Sequence, residues 1–589
     1  MSRNSRNAPA AVPAEGSFLR RDLPLLAALA LLLRLLHLLA LRDEPFFGVP
    51  LVDAKVFWQL AGALASGGGE PVYFKPPLLT WLAALWIEAG GGFAALRWTL
   101  ALLSALAPPL IALLAHPLLG RRGALLAGLL AALYAPAQLY APELLPATIA
   151  LLLNLLLLLV LFRAEEGGRV LPAAGAGLLL GLSALARPTI LLFLPLVLLR
   201  WRRRWRSGLF LLAGTLVALA PATIHNLRGG AFVLISANAG MNFYLGNHAG
   251  ADGKSAAAPE LPAETALAHG ASRALAEAAA GAPLDDGAVS RYWLGRGLAW
   301  LRAEPAGAVR LWLRKTYYLL NDREIADNID FGAAAELSPA LRWLPLRFGL
   351  LLALAAVGLP RLWREPRGRL LLLYALAAAL PLVVFFVTGR FRLALLPPLA
   401  VAGAAGLLRL GAIVRGERAG AWRVLAPALL LLLVAHSRFL GVAEDTSWHF
   451  HRNTGYILYA RGDLTGATAA YERALAVRPD HPDLCNSLGF LYAEQGRELA
   501  RAESLVRKAL RLDPNGRRVY LDSLGWVLFK AGRHDEAAAA LREALSLLGR
   551  DPSQRAALAE TLRHLGEVER ARGNDAAARR CFERAASLP

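Results

Sequence analysis

Long apolar runs decide what this chain can become. Through the first 440 residues, Leu- and Ala-rich blocks such as "LPLLAALALLLRLLHLLAL" recur. Several reach roughly 18 or more residues, the length that spans a hydrocarbon core as a helix. In lipid every backbone N–H and C=O must be satisfied internally, so such runs read as helices. The last 140 or so residues contain none. The fold class is therefore an all-α polytopic membrane protein followed by a soluble domain. Composition agrees: 56% of the 589 residues are hydrophobic, against about 45–50% in soluble chains.

A formal net charge of +20 invites a nucleic-acid reading, but its distribution argues against one. The basic residues cluster between apolar runs: Arg20-Arg21, Arg121-Arg122, Arg163 with Arg169, "RWRRRWR" at 200–206, "RLWREPRGR" at 361–369, and Arg415, Arg418 and Arg423. They fall in alternate loops, the positive-inside pattern. Topology accounts for the charge, and no nucleic-acid partner is expected. Cys485 and Cys581 are the only cysteines, too few for a disulfide framework or a metal site. The N-terminus lacks a small-residue cleavage site and reads as a cytoplasmic tail, 1–22, before a retained first helix.

The membrane domain is expected over 23–441, with spans near 23–42, 94–118, 123–141, 143–162, 170–187, 188–200, 208–226, 343–361, 369–388, 393–414 and 423–441. These make about eleven crossings. An odd number places the C-terminal domain, 446–589, outside a bacterial inner membrane, in the periplasm, with large outer loops at 43–93 and 227–342.

The first outer loop contains "PLVDAKVFWQLAGALASGGGEPVYFKPPLLTWLAAL", residues 50–85. Asp53 suits an N-cap, and Phe57, Leu60 and Leu64 follow at helical spacing. Gly67-Gly68-Gly69 ends that helix, and Pro76-Pro77 opens another too short to cross. In the second loop, alternation in "AFVLIS" predicts a strand. An Ala-rich surface helix is expected within 255–287.

The tail repeats with a period of about 34–41 residues, the mark of a solenoid. Gly455, Gly462, Ala467, Tyr471 and Ala474 recur as Gly489, Gly496, Ala502 and Ala509, then as Gly525, Gly532, Ala537, Leu541 and Ala544, and finally as Gly566, Gly573, Ala578, Phe582 and Ala585. Small residues let two helices approach and the large one fills the gap. The pattern is that of tetratricopeptide repeats, which build an α-solenoid surface for a protein partner.

A carboxylate at the outer lipid interface, beside cations, suits transfer of a sugar from a polyprenyl-phosphate carrier. The acid would act as general base on an acceptor hydroxyl, through an oxocarbenium-like transition state. Cations would stabilise the departing phosphate. Lys75, Arg390 and Arg392 are the candidates for that role. Asn242, Asn247, His248 and Asp252 could line an acceptor or donor pocket or simply form turns. Glu143 could assist at the start of a helix, and Arg187 could cap a helix end. No metal ligands are assigned, no cofactor is expected, and a divalent cation is left open. The chain has no phosphate loop, dinucleotide fingerprint, zinc spacing or nucleophile elbow.

"VDAKVFWQLAGALASG", "YFKPPLLTWLAALW" and "LRWTLALLSALAPPLIALLAHPLLGRRGALLAGLLAAL" resemble glycosyltransferase family 39 and the related protein mannosyltransferases. They are also similar to the aminoarabinose transferase that modifies lipid A. "GMNFYLGNHAGADG", "NDREIADNID" and "GRFRLALLPPL" resemble a bacterial subset with tetratricopeptide tails. The resemblance covers roughly residues 20–440. It implies the C-type glycosyltransferase fold, a lipid-linked sugar donor, an acceptor protein or envelope glycan or lipid, Asp53 as the catalytic acid and Lys75 as a phosphate contact. One departure stands out: many relatives have Asp-Glu where Asp53 is followed by Ala54. Two rivals remain, an O-antigen ligase or oligosaccharyltransferase, and a membrane-anchored repeat scaffold. A transporter fits less well, because the spans contain almost no acidic residues.

Overall fold

The computed structural model describes residues 17–261, 265–442, 446–547 and 555–588. The chain divides into two compact units, Met1–Glu444 and Asp445–Pro589. Among the described residues both are helical and neither contains a named strand.

In the first unit six stretches are long and apolar enough to cross a bilayer. They are Phe18–Leu41, Phe93–Leu133, Pro146–Glu165, Trp205–Arg228, Pro366–Val384 and Gly389–Val414. This is a multi-pass membrane protein, although these long helices number six where the sequence led us to expect eleven crossings. Of the five expected spans not among them, three are present as shorter helices, Val170–Ala186, Phe348–Arg364 and Trp422–His436, of 17, 17 and 15 residues. The other two have specific causes. Phe93–Leu133 runs for 41 residues, about 60 Å at 1.5 Å per residue and twice a hydrocarbon core. A left-handed Gly120 (φ +68°) breaks it where two spans were expected to meet. The expected span at 188–200 opens as a 3-10 turn, Pro188–Leu192, leaving an eight-residue helix, Phe193–Arg200. Pro188 disfavours helical backbone at Arg187, which is extended, and so separates this segment from Val170–Ala186.

The helix Val170–Ala186 packs along Trp205–Arg228 because small residues let the backbones meet. A Cβ on Gly177 would collide with the carbonyl of Leu211, whereas one on Gly175 has its nearest neighbour at 3.9 Å.

Above this bundle, the helices Val52–Ala65 and Leu78–Glu88 share one apolar cluster built on Phe57, Ala61, Leu79 and Ala83. Residues 231–236 are irregular, not the expected strand. Their carbonyls are taken by side chains: Asn226 Nδ2 donates to Val233 O at 2.9 Å and Ile235 O at 3.1 Å, and Thr223 Oγ1 donates to Leu234 O at 2.7 Å. Three successive carbonyls are thus engaged by side chains and not by a neighbouring strand. The segment ends alongside the first loop, where Ala237 N donates to Tyr73 O at 2.9 Å. The surface helix Thr265–Ala280 lies within the Ala-rich stretch.

The second unit is four helical hairpins: Ser447–Ala460 with Leu464–Val477, Pro482–Glu494 with Leu499–Leu512, Arg517–Lys530 with His534–Ser546, and Arg555–Ala571 with Asp575–Ala586. Ala467, Ala474, Ala502, Ala509, Ala537 and Ala544 are wholly buried. They occupy the small positions that the repeat pattern marks out.

The Gly177 packing gives a direct test. Gly177→Ala should lower the melting temperature of the detergent-solubilised protein by several degrees, while Gly175→Ala should leave it unchanged or raise it slightly. Equal effects on thermal unfolding would refute the close-approach explanation.

Candidate functional site

Four charged side chains meet where the first loop, the segment before Phe331 and the turn Gly389–Arg392 converge. The helix Val52–Ala65 starts two residues earlier than a cap role for Asp53 requires. Leu51 is its N-cap, and Asp53 lies inside the first turn. The Asp53 carboxylate is therefore free to bond elsewhere. Oδ1 pairs with Lys75 Nζ at 2.7 Å and Oδ2 with Arg390 Nη1 at 2.8 Å. Asn328 Nδ2 donates to Oδ2 at 3.2 Å, and Asp53 N donates back to Asn328 Oδ1 at 2.9 Å. Arg390 Nη2 reaches a second acid, Asp327, at 2.6 Å.

The two acids differ electrostatically. Burial pushes the Asp53 carboxyl up, but Lys75 and Arg390 outweigh it and hold the group well below the usual carboxylate range. Burial also pushes Asp327 up, and there Arg390 does not cancel the effect. Val52, beside Asp53, has a left-handed backbone at φ +48°. That is uncommon for a β-branched residue, and such strain tends to gather at functional sites.

A cavity of 670 Å³ opens beside this cluster. Asp53, Lys75, Arg187, Asp327 and Arg390 line one part of it, and Phe57, Phe74, Phe232, Leu234 and Phe385 line apolar walls. Arg187 is the extended residue between Val170–Ala186 and Pro188–Leu192. It donates to Phe391 O at 3.3 Å and stacks over the Phe391 ring at 4.1 Å; Arg390 lies 4.8 Å from the same ring. Arg187 has no carboxylate partner among the described residues.

The other candidates are divided by the fold. Asn242 lines the cavity. Arg392 does not. It is wholly buried, pairing with Glu324 at 2.8 Å and donating to the carbonyls of Asn321 and Arg323. Glu143 lies outside the cavity lining and pairs with buried Arg97 at 2.5 Å. Asn247 bonds Phe243 O and Val384 O, each at 2.8 Å, and accepts from buried Lys315 at 3.2 Å. Burial pushes the Lys315 ammonium down to about 7. His248 ties Gly250 N to Ala257 O. Asp252 Oδ1 accepts from the backbone of Lys254 and Ser255 and shapes a turn. Among the described residues, no group of three His, Cys, Asp or Glu is placed to hold a metal.

Asp327 and Asn328 escaped the sequence reading. They lie in "NDREIADNID", two of whose acids pair with the basic "GRFR" turn in reverse order: Glu324 with Arg392 and Asp327 with Arg390. That matched charge pattern was the available signal.

The first unit thus combines a multi-helix membrane bundle with an acid–base cluster that opens on a partly apolar cavity. Comparison with known proteins is consistent with this. Residues 74–225 match the family described as dolichyl-phosphate-mannose-protein mannosyltransferase, which points to a membrane glycosyltransferase. The matched segment includes Lys75 and Arg187 and begins after Asp53. Residues 455–496 and 519–550 match tetratricopeptide-repeat families. A TPR repeat-containing protein of Pseudomonas aeruginosa is 33% identical over 107 residues, covering 18% of this chain and 17% of that relative. Among solved structures, MamA MSR-1 and MamA AMB-1 are each 23% identical over 29% of this chain, covering 88% and 91% of theirs, with TM-scores of 0.20. BtubC from P. vanneervenii is 17% identical over 40% of this chain and 89% of its own, with a TM-score of 0.22.

The two arginines of the "GRFR" turn should behave differently when replaced. Arg392→Met strands Glu324 in a buried site and should destabilise the protein by about 3–5 kcal/mol, read as a fall in melting temperature. Adding Glu324→Leu should restore part of that loss. No recovery in the double variant would show that the pair is not the source.

Proposed function

We propose that this chain is an integral membrane glycosyltransferase that takes a sugar from a polyprenyl-phosphate-linked donor, with Asp53 as general base. The acceptor lies on the outer side of a bacterial cytoplasmic membrane and is a protein or an envelope glycan or lipid. The observation that carries this reading is the charge balance of the cavity. Lys75 and Arg390 are matched one for one by Asp53 and Asp327. Arg187 beside them, and exposed Arg291 elsewhere in the lining, add positive charge not paired to a carboxylate among the described residues, next to apolar walls that suit a lipid.

In the reaction, an acceptor hydroxyl oxygen forms a bond to the anomeric carbon. The bond from that carbon to the phosphate oxygen breaks, and its electron pair leaves with the phosphate. The hydroxyl proton passes to Asp53. Both Asp53 oxygens start in ion pairs, so the carboxylate is a weak base until the donor arrives. A phosphate drawn to Lys75, Arg390 and Arg187 shares their charge and restores basicity to Asp53 when it is needed. The cations then stabilise the charge that develops on the leaving phosphate. Arg392 positions the turn that carries Arg390. The repeat unit, on this reading, holds a protein partner on the periplasmic side.

The test is sugar transfer by purified full-length protein in liposomes, with dolichyl-phosphate mannose as the first donor tried and other polyprenyl-phosphate sugars after it. Asp53→Asn should reduce turnover by about 10²–10⁴-fold, measured below its melting temperature, which the lost ion pairs with Lys75 and Arg390 should lower. Full turnover in that variant would remove Asp53 from the mechanism.

A further inference from the structure

We propose that Asp327 is a positioning residue that competes with the donor phosphate for Arg390 and so limits how tightly the site holds a lipid phosphate. This rests on reading the cavity as a lipid-phosphate site.

Arg390 is divided between two acids, with Nη1 on Asp53 at 2.8 Å and Nη2 on Asp327 at 2.6 Å. Its Nε is buried with no partner among the described residues. A guanidinium grips phosphate best through two donors on one edge. Each edge of Arg390 includes at least one nitrogen already committed to a carboxylate. Binding therefore requires an exchange of partners.

The two carboxylates do not resist that exchange equally. Asp53 keeps Lys75 and Asn328 if Arg390 turns away. Asp327 would keep an Asn328 hydrogen bond but no cation, since Arg390 is the one cation paired with it among the described residues. Asp327 also lines the cavity and is the more open acid, with its side chain 20% exposed against 11% for Asp53. An incoming phosphate thus meets a like charge at the place where it must take a donor. Both effects weaken binding of lipid phosphate, substrate and product alike. This has a use: binding that is equally strong before and after transfer does not speed the chemistry, and a tightly held lipid-phosphate product slows its own release.

The experiment measures the affinity of farnesyl phosphate for the full-length protein in detergent, comparing wild type, Asp327→Asn and Asp327→Glu. Asp327→Asn should bind about tenfold more tightly, and Asp327→Glu should stay near wild type. With dolichyl-phosphate mannose, Asp327→Asn should lower KM and kcat together. A purely structural role for Asp327 would weaken binding instead. Unchanged or weaker binding in Asp327→Asn, at a wild-type melting temperature, overturns the inference while leaving the lipid-phosphate reading intact. If Asp327→Asn does not fold, Asp327→Ser is put to the same measurement with the same expectation. Failure of wild type and variants alike to bind farnesyl phosphate overturns the lipid-phosphate reading, and this inference with it.

Discussion

The arrangement depends on Asp53 standing between Lys75 and Arg390. Two distant parts of the chain meet at that carboxylate: the first loop, which carries both Asp53 and Lys75, and the "GRFR" turn. Asn328 adds a third by bonding both the backbone and the side chain of Asp53. Burying an acid costs free energy unless cations and hydrogen bonds offset it, so each partner here holds the others in place. A cluster of this kind positions loops that have no strand or long helix of their own to position them.

A second pair, Arg392 with Glu324, performs the structural half of the same task. It fastens the turn to the backbone of Asn321 and Arg323, which leaves Arg390 two residues away to face the cavity. Alternate arginines on one turn thus take separate roles, one buried and holding, the other lining the cavity. Gly389 belongs to this design, since any Cβ there would collide with Glu324 Oε2.

Much of this was legible in the residues, for identifiable reasons. Apolar runs and repeat periodicity are dense signals, so the helical membrane unit and the tetratricopeptide hairpins could be read directly. Asp53 and Lys75 stood out through the helix that Asp53 opens, the nearby Lys-Pro-Pro turn and the family resemblance. Asp327, Asn328 and the cavity-facing place of Arg187 did not stand out. Their significance lies in which distant segments they touch, and local spacing holds no record of that. The stretch 231–236 shows the converse. Its alternation is what a strand requires, but Asn226 and Thr223 take its carbonyls, a tertiary choice that overrides a local pattern. Asn247, His248 and Asp252 have side chains suited to ligand contact, and the fold uses them for turns and ties.

The central claim is that this cavity receives a polyprenyl-phosphate sugar and that Asp53 is needed to turn it over. Mass spectrometry of lipids that co-purify with wild type and with Asp53→Asn in mild detergent tests it most directly. The account predicts a polyprenyl-phosphate sugar enriched in the variant, held as an unreacted donor, whose mass also names the sugar. No such lipid in either preparation, with both proteins folded, would contradict it.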